Sequence, residues 1–410
     1  MGPPVALPIR RNTALLSAAL ATNSAMLQLS AAVASLTLVN VLGVEGLLGL
    51  GPAIVLGSGA IAALPAGRAM DRVGRVPVLA AGFLIGALGC VLAAIGSAAS
   101  LGPLVLAGLV GVGAAGGIAL LARTAAGDMY PPDRRARGIA LVLFGAVFGA
   151  FLGPAVFSPI LAGRELDGDA LAPLWLAAGA FMVVGCALVA CVRPDPRRIA
   201  ELLEHEEPIQ RAGSAPIREL LGRPGVIPAL IAAQASFAVM VGVMTLTGAV
   251  VVDHQGHEGH DVFPIIGAHV IGMYALVIVI GDVIDRIGRS PSLAGGLIVM
   301  AASVISLLWV ESVPATAVAL FGLGVGWNLS FVAATAELAD LTHPSERGRL
   351  LGFNDLLSGA TGAGLALLGG VALSALGVAA LAIGGTALVL GPALWILRVT
   401  KLPVARGAGG

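Results

Sequence analysis

Charge is scarce in this chain. Only 11% of its 410 residues are charged, aromatic residues make up 4%, and a single lysine is present. Soluble domains carry about 25% charged residues, so a soluble fold would have to expose large apolar patches to water. The formal net charge of zero also argues against nucleic acid as a partner, because nucleic-acid-binding domains are strongly basic.

Cysteine is rare as well, and the motifs of common enzymes are missing. Cys90, Cys186 and Cys191 all lie in apolar runs without metal-ligand spacing, which predicts buried free thiols. No G-x-x-x-x-G-K-[ST] loop is present, so ATP-driven pumping is not expected. No nucleophile with a neighbouring base can be identified. We therefore expect neither an enzyme nor a bound cofactor or metal.

Apolar residues and glycine are abundant instead. Hydrophobic residues make up 58% of the chain, the mean hydropathy is +0.98, and there are 58 glycines. About 20 apolar residues cross a bilayer as a helix, and glycine lets such helices pack closely. The sequence therefore predicts an all-α polytopic membrane protein with twelve transmembrane spans, numbered here in chain order: 13–36, 47–66, 77–99, 103–127, 138–162, 171–192, 226–252, 262–284, 291–310, 315–340, 349–372 and 375–398.

One long hydrophilic segment divides the spans into six and six. Residues 193–225 contain twelve charged residues. The predicted organisation is an N-terminal six-helix bundle at 1–192, a linker at 193–225 and a C-terminal six-helix bundle at 226–410.

The basic residues predict the orientation. With the amino terminus in the cytoplasm, 21 of the 23 Lys and Arg residues fall on the cytoplasmic side, while Arg123 lies inside a span and Arg164 outside the cell. This distribution follows the positive-inside rule. It predicts a multi-pass protein of the plasma (inner) membrane with the linker and both termini in the cytoplasm.

Two cytoplasmic loops share one pattern. Residues 67–79 read GRAMDRVGRVPVL and residues 281–293 read GDVIDRIGRSPSL. A second repeat follows spans 4 and 10, where Asp128, Pro132 and Arg135 recur 212 residues later as Asp340, Pro344 and Arg347. Two repeats at nearly one offset indicate a duplicated six-span unit, an arrangement found in secondary transporters.

These loops resemble the signature loop of the major facilitator superfamily, and the resemblance covers essentially the whole chain. It implies two pseudo-symmetric six-helix bundles and a cytoplasmic latch. In that latch an aspartate lies near the start of span 11, a glycine allows close helix approach, and an arginine pairs with the acid that ends span 4. The implied latch residues are Gly67, Asp71, Arg72, Gly74, Arg75 and Asp128, with Asp285, Arg286, Arg289 and Asp340 in the second copy. A purely topological role of the basic residues is the alternative.

Span 5 suggests a branch of that family. Gly149, Gly153 and Pro154 match the G-x-x-x-G-P motif of antiporters, which implies the drug:proton antiporter branch and export. Ordinary small-residue packing is the alternative. The sequence also departs from that branch, because Ala107 stands where many such antiporters carry an arginine before Gly111-Val-Gly113-Ala114. Proton coupling through that arginine is therefore not expected.

Ionisable residues inside spans are candidates for coupling or gating, because they are costly there. Repeat positions place Arg123 and Glu337 at similar depth, which suggests an ion pair between the halves. Asp355 in span 11 is expected to pair with Arg68, which lies just after span 2. Such pairs could be gates or static. A carboxyl group in an apolar site binds its proton more tightly and a neighbouring arginine opposes this, so Glu337 and Asp355 are candidate proton carriers. His269 is an alternative titrating group, or a structural histidine.

The polar residues of the spans suggest the substrate class. In the resembling family, spans 1, 4, 7 and 10 line the cavity, and the candidate substrate residues here are Asn23, Gln28, Gln234, Trp327 and Asn328. A few amides and one tryptophan suit a lipophilic or weakly polar organic molecule better than a phosphate or a sugar.

The outer loop 253–261 reads DHQGHEGHD. Its histidines and acids could bind a transition metal, but histidines on a short loop are a weak signal and a solvated loop is the favoured interpretation.

The resulting hypothesis is a monomeric secondary transporter that exports a small drug-like compound in exchange for protons. A proton-coupled importer or a uniporter of a small metabolite is the alternative. A receptor or a membrane enzyme on the same scaffold is the hypothesis from a different class.

Overall fold

The computed structural model describes residues 7–42, 50–161, 168–203, 215–251, 255–256 and 262–401, and this part of the chain is helical and free of strands. Up to the linker, the helices are α1 Ile9–Leu42, α2 Leu50–Val73, α3 Arg75–Ala98, α4 Gly102–Leu120, α5 Ala122–Met129, α6 Arg135–Leu143, α7 Gly145–Leu161 and α8 Gly168–Ala190. A short 3-10 helix, Pro132–Arg134, precedes α6. The pairs α4–α5 and α6–α7 each correspond to one predicted span.

The linker and the second half continue the all-helical chain. The linker contains α9 Pro196–Leu203 and α10 Ile217–Leu221, and it is followed by α11 Val226–Ala249, α12 Val262–Tyr274, α13 Val277–Ile287, α14 Arg289–Ser306, α15 Val313–Asp340 and α16 Pro344–Lys401. The long α16 covers predicted spans 11 and 12. Gly377 interrupts it with φ 72° and ψ −173°, a conformation that L residues with a Cβ rarely adopt.

Within the described residues, eight helices are long and apolar enough to cross a membrane, and the bent pair α12–α13 makes a ninth. Of the twelve predicted spans, the other three correspond to α1, to α6–α7 and to the first part of α16. Large apolar side chains such as Ile61, Leu88, Phe151 and Val318 are exposed on the outside of the bundle. A membrane supplies the apolar surroundings that such a surface needs.

Glycine allows the helix backbones to approach closely. A Cβ at Gly59 of α2 would lie 2.8 Å from the carbonyl oxygen of Gly113 in α4, and a Cβ at Gly296 of α14 would lie 2.6 Å from that of Gly326 in α15. Contacts this short are available only to residues without a side chain. This explains why the chain is so rich in glycine.

The repeated loops begin with the same backbone turn. Gly74 between α2 and α3 has φ 102° and ψ 172°, and Gly288 between α13 and α14 has φ 94° and ψ 165°. Only glycine reaches this region without strain. The glycine of the repeated D-R-x-G-R segment is therefore required by the turn that joins the two helices.

Candidate functional site: two ion-pair clusters and a central cavity

Four buried charged side chains form a cluster at the end of the bundle that carries the linker helices, here named the linker side. The first cluster consists of Asp71, Arg75, Asp128 and Arg347. Arg75 donates from Nε to Asp128 (2.7 Å) and from Nη1 to Asp71 (3.0 Å). Arg347, on α16 in the other half, donates to the second oxygen of Asp128 at 2.9 Å. The Asp128 carboxylate therefore binds one arginine from each half.

Asp71 also caps a helix of the opposite half. Its two carboxylate oxygens accept hydrogen bonds from the backbone N–H groups of Gly348 (2.9 Å) and Arg349 (2.7 Å) in the second turn of α16. A carboxylate close to the start of a helix interacts favourably with the helix dipole. Arg75 completes the contact by donating to the carbonyl oxygen of Pro344 at 2.5 Å.

The second cluster repeats the first with the halves exchanged, and it consists of Asp285, Arg289, Asp340 and Arg135. Arg289 donates to Asp285 (2.6 Å), to Asp340 (3.0 Å) and to the carbonyl oxygen of Pro132 (2.6 Å). Arg135 donates to the other oxygen of Asp340. Asp285 accepts from the backbone N–H groups of Ala136 (3.2 Å) and Arg137 (2.9 Å) at the start of α6. The duplication is thus visible atom by atom.

The clusters differ in burial. The Asp128 side chain has no exposed surface and its two arginines expose 0% and 2%. Asp340 exposes 21% of its side chain. Because water can replace lost partners only where a group is accessible, the first cluster depends more strongly on its own ion pairs.

Two of the predicted latch residues take no part in these contacts, and two members of the clusters were not among the predicted latch residues. The side chains of Arg72 and Arg286 are exposed. In the sequence, Arg135 and Arg347 stand out only as members of the second repeat, although each forms an ion pair between the halves. Their repeated position, three residues after Pro132 and Pro344, was the available signal.

A linker contact supports each side of the first cluster. Asp195, just before α9, accepts hydrogen bonds from the backbone N–H groups of Arg75 (3.2 Å) and Val76 (2.9 Å). Arg223, just after α10, donates twice to Glu346 of α16, at 2.7 and 3.0 Å. The linker therefore holds both segments that meet in the first cluster.

Gly67 lies where α2 crosses the first turns of α16. A Cβ at this position would overlap the carbonyl oxygen of Gly348, and one at Gly348 would overlap the carbonyl oxygen of Gly67. The two backbones are therefore in direct contact beside Asp71.

We expect Gly67→Ala to destabilise this contact by about 1–3 kcal/mol, the usual cost of forcing an extra methyl group into a packed site. The thermal unfolding midpoint of the purified protein should fall accordingly. Gly57→Ala in the same helix is the matched control, because a Cβ there meets nothing within 4 Å. Equal midpoints for the two variants would contradict the close approach at Gly67.

A buried ion pair joins the halves deeper in the bundle. Arg123 of α5 donates to Asp355 of α16; Arg123 is fully buried and Asp355 exposes 6% of its side chain. The Arg123 guanidinium also lies over the ring of Phe331, 4.7 Å from its centroid. Arg123 Nε and Nη1 and Asp355 Oδ2 have no hydrogen-bond partner within the described chain. Burying polar atoms without hydrogen-bond partners is costly. Buried atoms of this kind are typical of functional sites.

This pairing corrects two sequence predictions. Arg123 pairs with Asp355 and not with Glu337, whose carboxylate lies beside Gly225 at the start of α11. Arg68 was predicted to pair with Asp355, but its side chain is exposed. The equivalent position in the second half, Asp282, forms an exposed pair with Arg137 at 3.4 Å.

Asp355 also borders a central cavity of ≈ 190 Å³. Its walls are formed by glycines of α2 and α4, by Leu27, Leu120, Phe237 and Phe331, and by Ser358 one turn beyond Asp355. The cavity is thus almost entirely apolar, with one carboxylate at its border.

The residues predicted to bind substrate do not line this cavity. Gln234 donates to the side-chain oxygen of Asn354 at 3.1 Å, Asn328 donates to the carbonyl oxygen of Met273, and Trp327 stacks on Phe331 with centroids 4.8 Å apart. Asn23 is buried and Gln28 is half-buried. Phe331 and Phe237 were missed because an aromatic residue in an apolar span carries no sequence signal for a cavity.

The remaining candidates are placed as follows. His269 is buried, and its Nδ1 lies 2.9 Å from the carbonyl oxygen of Leu320. A Cβ at Gly149 would overlap the backbone of α1 at Ala21, and α7 continues through Gly153 and Pro154. His254, His257 and His260 of the outer loop lie outside the described residues. Among the residues that are described, no group of three or more potential ligands could hold a metal ion.

The comparisons with known proteins agree with this architecture. The family model of the Major Facilitator Superfamily matches residues 14–281 and, again, residues 260–409. The chain belongs to this superfamily. It is therefore a membrane transporter and not an enzyme.

Three similar proteins illustrate the range of the family. The uncharacterized MFS-type transporter YdeG of Bacillus subtilis is 32% identical over 362 residues, which cover 85% of this chain and 82% of the relative. The riboflavin transporter RfnT of Brucella anthropi is 31% identical over 301 residues, 73% of each chain. The fold is similar to that of the E. coli fucose:proton symporter FucP (N162A), with a TM-score of 0.74 at 16% identity over 94% of this chain and 98% of that one.

Proposed function

We propose that this protein is a proton-coupled secondary transporter of the plasma membrane, in which the Arg123–Asp355 pair links proton binding to alternating access. The observation that supports this proposal is the position of the pair. It joins the two halves, and Asp355 borders the cavity. The distribution of basic residues favours an orientation of the protein with the linker side in the cytoplasm.

The coupling step follows from the cost of a buried charge. While the linker side is closed, Arg123 compensates the Asp355 carboxylate. Opening between the halves separates α5 from α16 and leaves the carboxylate in apolar surroundings, where the neutral, protonated form is favoured. For export, Asp355 takes up this proton from the outside, and substrate that binds from the cytoplasm displaces it into the cytoplasm. Arg123 then pairs with the carboxylate again as the linker side closes. Proton exchange at Asp355 is thereby tied to the movement of the halves.

The two clusters act in this proposal as a latch on the cytoplasmic side. Each contains an aspartate that caps a helix of the other half and an arginine that pairs with an acid of the other half. All these contacts must break together when the linker side opens. The latch therefore favours the cytoplasm-closed state without blocking the reverse movement.

For the direction we propose export of a small lipophilic or weakly polar compound by a monomer. The apolar cavity suits such a substrate, and Gly149, Gly153 and Pro154 match the antiporter motif. Glu337 and His269 remain candidate secondary proton sites. Import or uniport of a small organic metabolite is the second candidate. The relative named as a riboflavin transporter favours a metabolite as the substrate and leaves the direction open.

Inside-out vesicles with an acid interior test the proposal. A fluorescent pH probe would report the gradient while lipophilic cations, antibiotics, flavins and other small metabolites are added one at a time. We expect at least one compound to dissipate the gradient with wild type and not with Asp355→Asn, whereas Glu337→Gln retains activity. If no compound dissipates it while radiolabelled compounds accumulate in whole cells, export by proton exchange is wrong and import or uniport replaces it.

A further inference from the structure

A cleft lies on the linker side, at the outer edge of the first half. It has a volume of ≈ 700 Å³ and lies between the ends of α3 and α8 and the linker helix α9. Arg72, Arg193, Arg197 and Arg198 line it, together with Asp195 and Glu201. It shares no residue with the central cavity, and neither cluster includes any of these side chains.

Both acids of the cleft are already engaged. Asp195 accepts backbone hydrogen bonds from Arg75, Val76 and Arg197, the last at 2.9 Å. Glu201 pairs with Arg197 at 3.1 Å. Glu201 therefore compensates the charge of Arg197, and Asp195 caps the start of α3.

Three arginines remain without a carboxylate partner. Within the described part of the chain, the side chains of Arg72, Arg193 and Arg198 form no ion pair, and all three are exposed. Arg11 adds a further guanidinium nearby, since it donates to the carbonyl oxygen of Arg193 at 3.0 Å. The cleft thus presents concentrated positive charge to an anion.

The floor of the cleft identifies the kind of anion. It is apolar and formed by Val76, Pro77, Ala80 and Ala190. On α3, Ala80 is followed at helical spacing by Leu84 and Leu88, which are 57% and 60% exposed. Residues four apart lie on one face of a helix, so an apolar stripe runs from the cleft along the outside of the bundle.

Helix α8 supplies the other wall of this groove. Ala190 is preceded at helical spacing by Ala187 and by Val183, which is 56% exposed. Because α3 and α8 pack side by side, the two stripes form a groove that faces the hydrocarbon. Arginines at the membrane surface above an apolar groove match a phosphate with acyl chains better than a soluble phosphate.

We propose that this cleft binds the headgroup of an anionic phospholipid, with an acyl chain in the groove between α3 and α8. The site also touches the first cluster, since Arg197 donates to the backbone carbonyl oxygen of Asp71 at 2.5 Å. Bound lipid should therefore stabilise the closed linker side. The proposal rests on the fold and the cleft, and it is independent of the direction of transport and of proton coupling.

The test compares lipid binding to purified full-length protein by native mass spectrometry and by thermal unfolding. The probes are phosphatidylglycerol, phosphatidylcholine and soluble glycerol phosphate. We expect phosphatidylglycerol to bind and to raise the unfolding midpoint, and the two others to have no comparable effect. In the triple variant Arg72→Ala/Arg193→Ala/Arg198→Ala, binding should weaken about a hundredfold, at roughly a factor of five for each arginine near an anionic surface.

The control variant Arg134→Ala/Arg286→Ala/Arg398→Ala removes three exposed arginines elsewhere, including the counterpart of Arg72 in the second half, and should keep the phosphatidylglycerol effect. If the control variant loses as much phosphatidylglycerol binding as the first triple variant, the lipid is attracted by the overall positive charge of the surface, and the proposed site is wrong. Binding of glycerol phosphate as tight as that of the lipid would overturn the assignment to a lipid. Unchanged phosphatidylglycerol binding in the first triple variant would show that the cleft is not the binding site.

Discussion

Asp355→Asn and Arg123→Met are each expected to destabilise the protein by about 3 kcal/mol, and the double variant is expected to regain most of that stability. Removing one partner of a buried ion pair leaves an uncompensated charge, whereas removing both leaves none. In the double variant the methionine can still pack on Phe331, where Arg123 lies now. Thermal unfolding of the four proteins, analysed as a double-mutant cycle, measures this coupling.

The same variants separate stability from coupling. The double variant should exchange substrate down its gradient but should no longer respond to a pH gradient, because the titrating carboxylate is gone. Asp282→Asn is the matched control, since it removes a partner of an exposed pair between the halves that should contribute only about 0–1 kcal/mol. A double variant that stays as unstable as the single variants would refute the pair. If substrate transport by the double variant still depends on the pH gradient, Glu337 or His269 and not Asp355 carries the coupled proton.

Asp128→Asn is expected to open the linker side far more than Asp340→Asn. Asp128 holds Arg75 and Arg347 in a site with no exposed surface, and an asparagine removes the negative charge that these two guanidinium groups share, leaving Arg75 its pair with Asp71. Loss of a buried partner costs about 3–5 kcal/mol, which lowers the ratio of closed to open molecules by roughly two to nearly four orders of magnitude. Asp340 is 21% exposed, so water can compensate part of the loss there.

Cysteine labelling measures this difference. In a variant without Cys90, Cys186 and Cys191, the substitution Met70→Cys places a thiol in a fully buried position that faces Gly348 across the halves. A maleimide applied from the linker side should label it much faster with Asp128→Asn than with Asp340→Asn. Equal rates would show that burial does not set the strength of the clusters, and unchanged rates would show that the clusters do not hold the linker side closed.

Most of the architecture could be predicted from local sequence. The membrane class, the all-helical fold and the family follow from long apolar runs and from the loops at 67–79 and 281–293, because an apolar run of about 20 residues has one stable state in a bilayer. The Arg75–Asp128 pair was also expected, from the resemblance of the loop at 67–79 to the family's signature loop, whereas the partners Arg347 and Arg135 were not.

The direction in which each side chain points around its helix axis could not be predicted from the sequence. The repeat places Arg123 level with Thr335, and Glu337 is only two residues further, so the depth of the predicted Arg123–Glu337 pair was reasonable. Two residues, however, turn an α-helix by about 200°, and Glu337 therefore faces away from the position that Thr335 occupies. Arg68 failed as a partner for the same reason, since its side chain points to the outside of the bundle.

The sequence by itself thus indicated where along its helix each charged residue of the spans lies and which loops are equivalent. Only the packing of α5 against α16 decided that Arg123 meets Asp355, and only the approach of α9 to the ends of α3 and α8 gathered Arg72, Arg193 and Arg198 around one cleft. Hydropathy and repeats fix position along a helix, whereas pairing between distant segments depends on helix rotation and crossing, which side-chain packing determines.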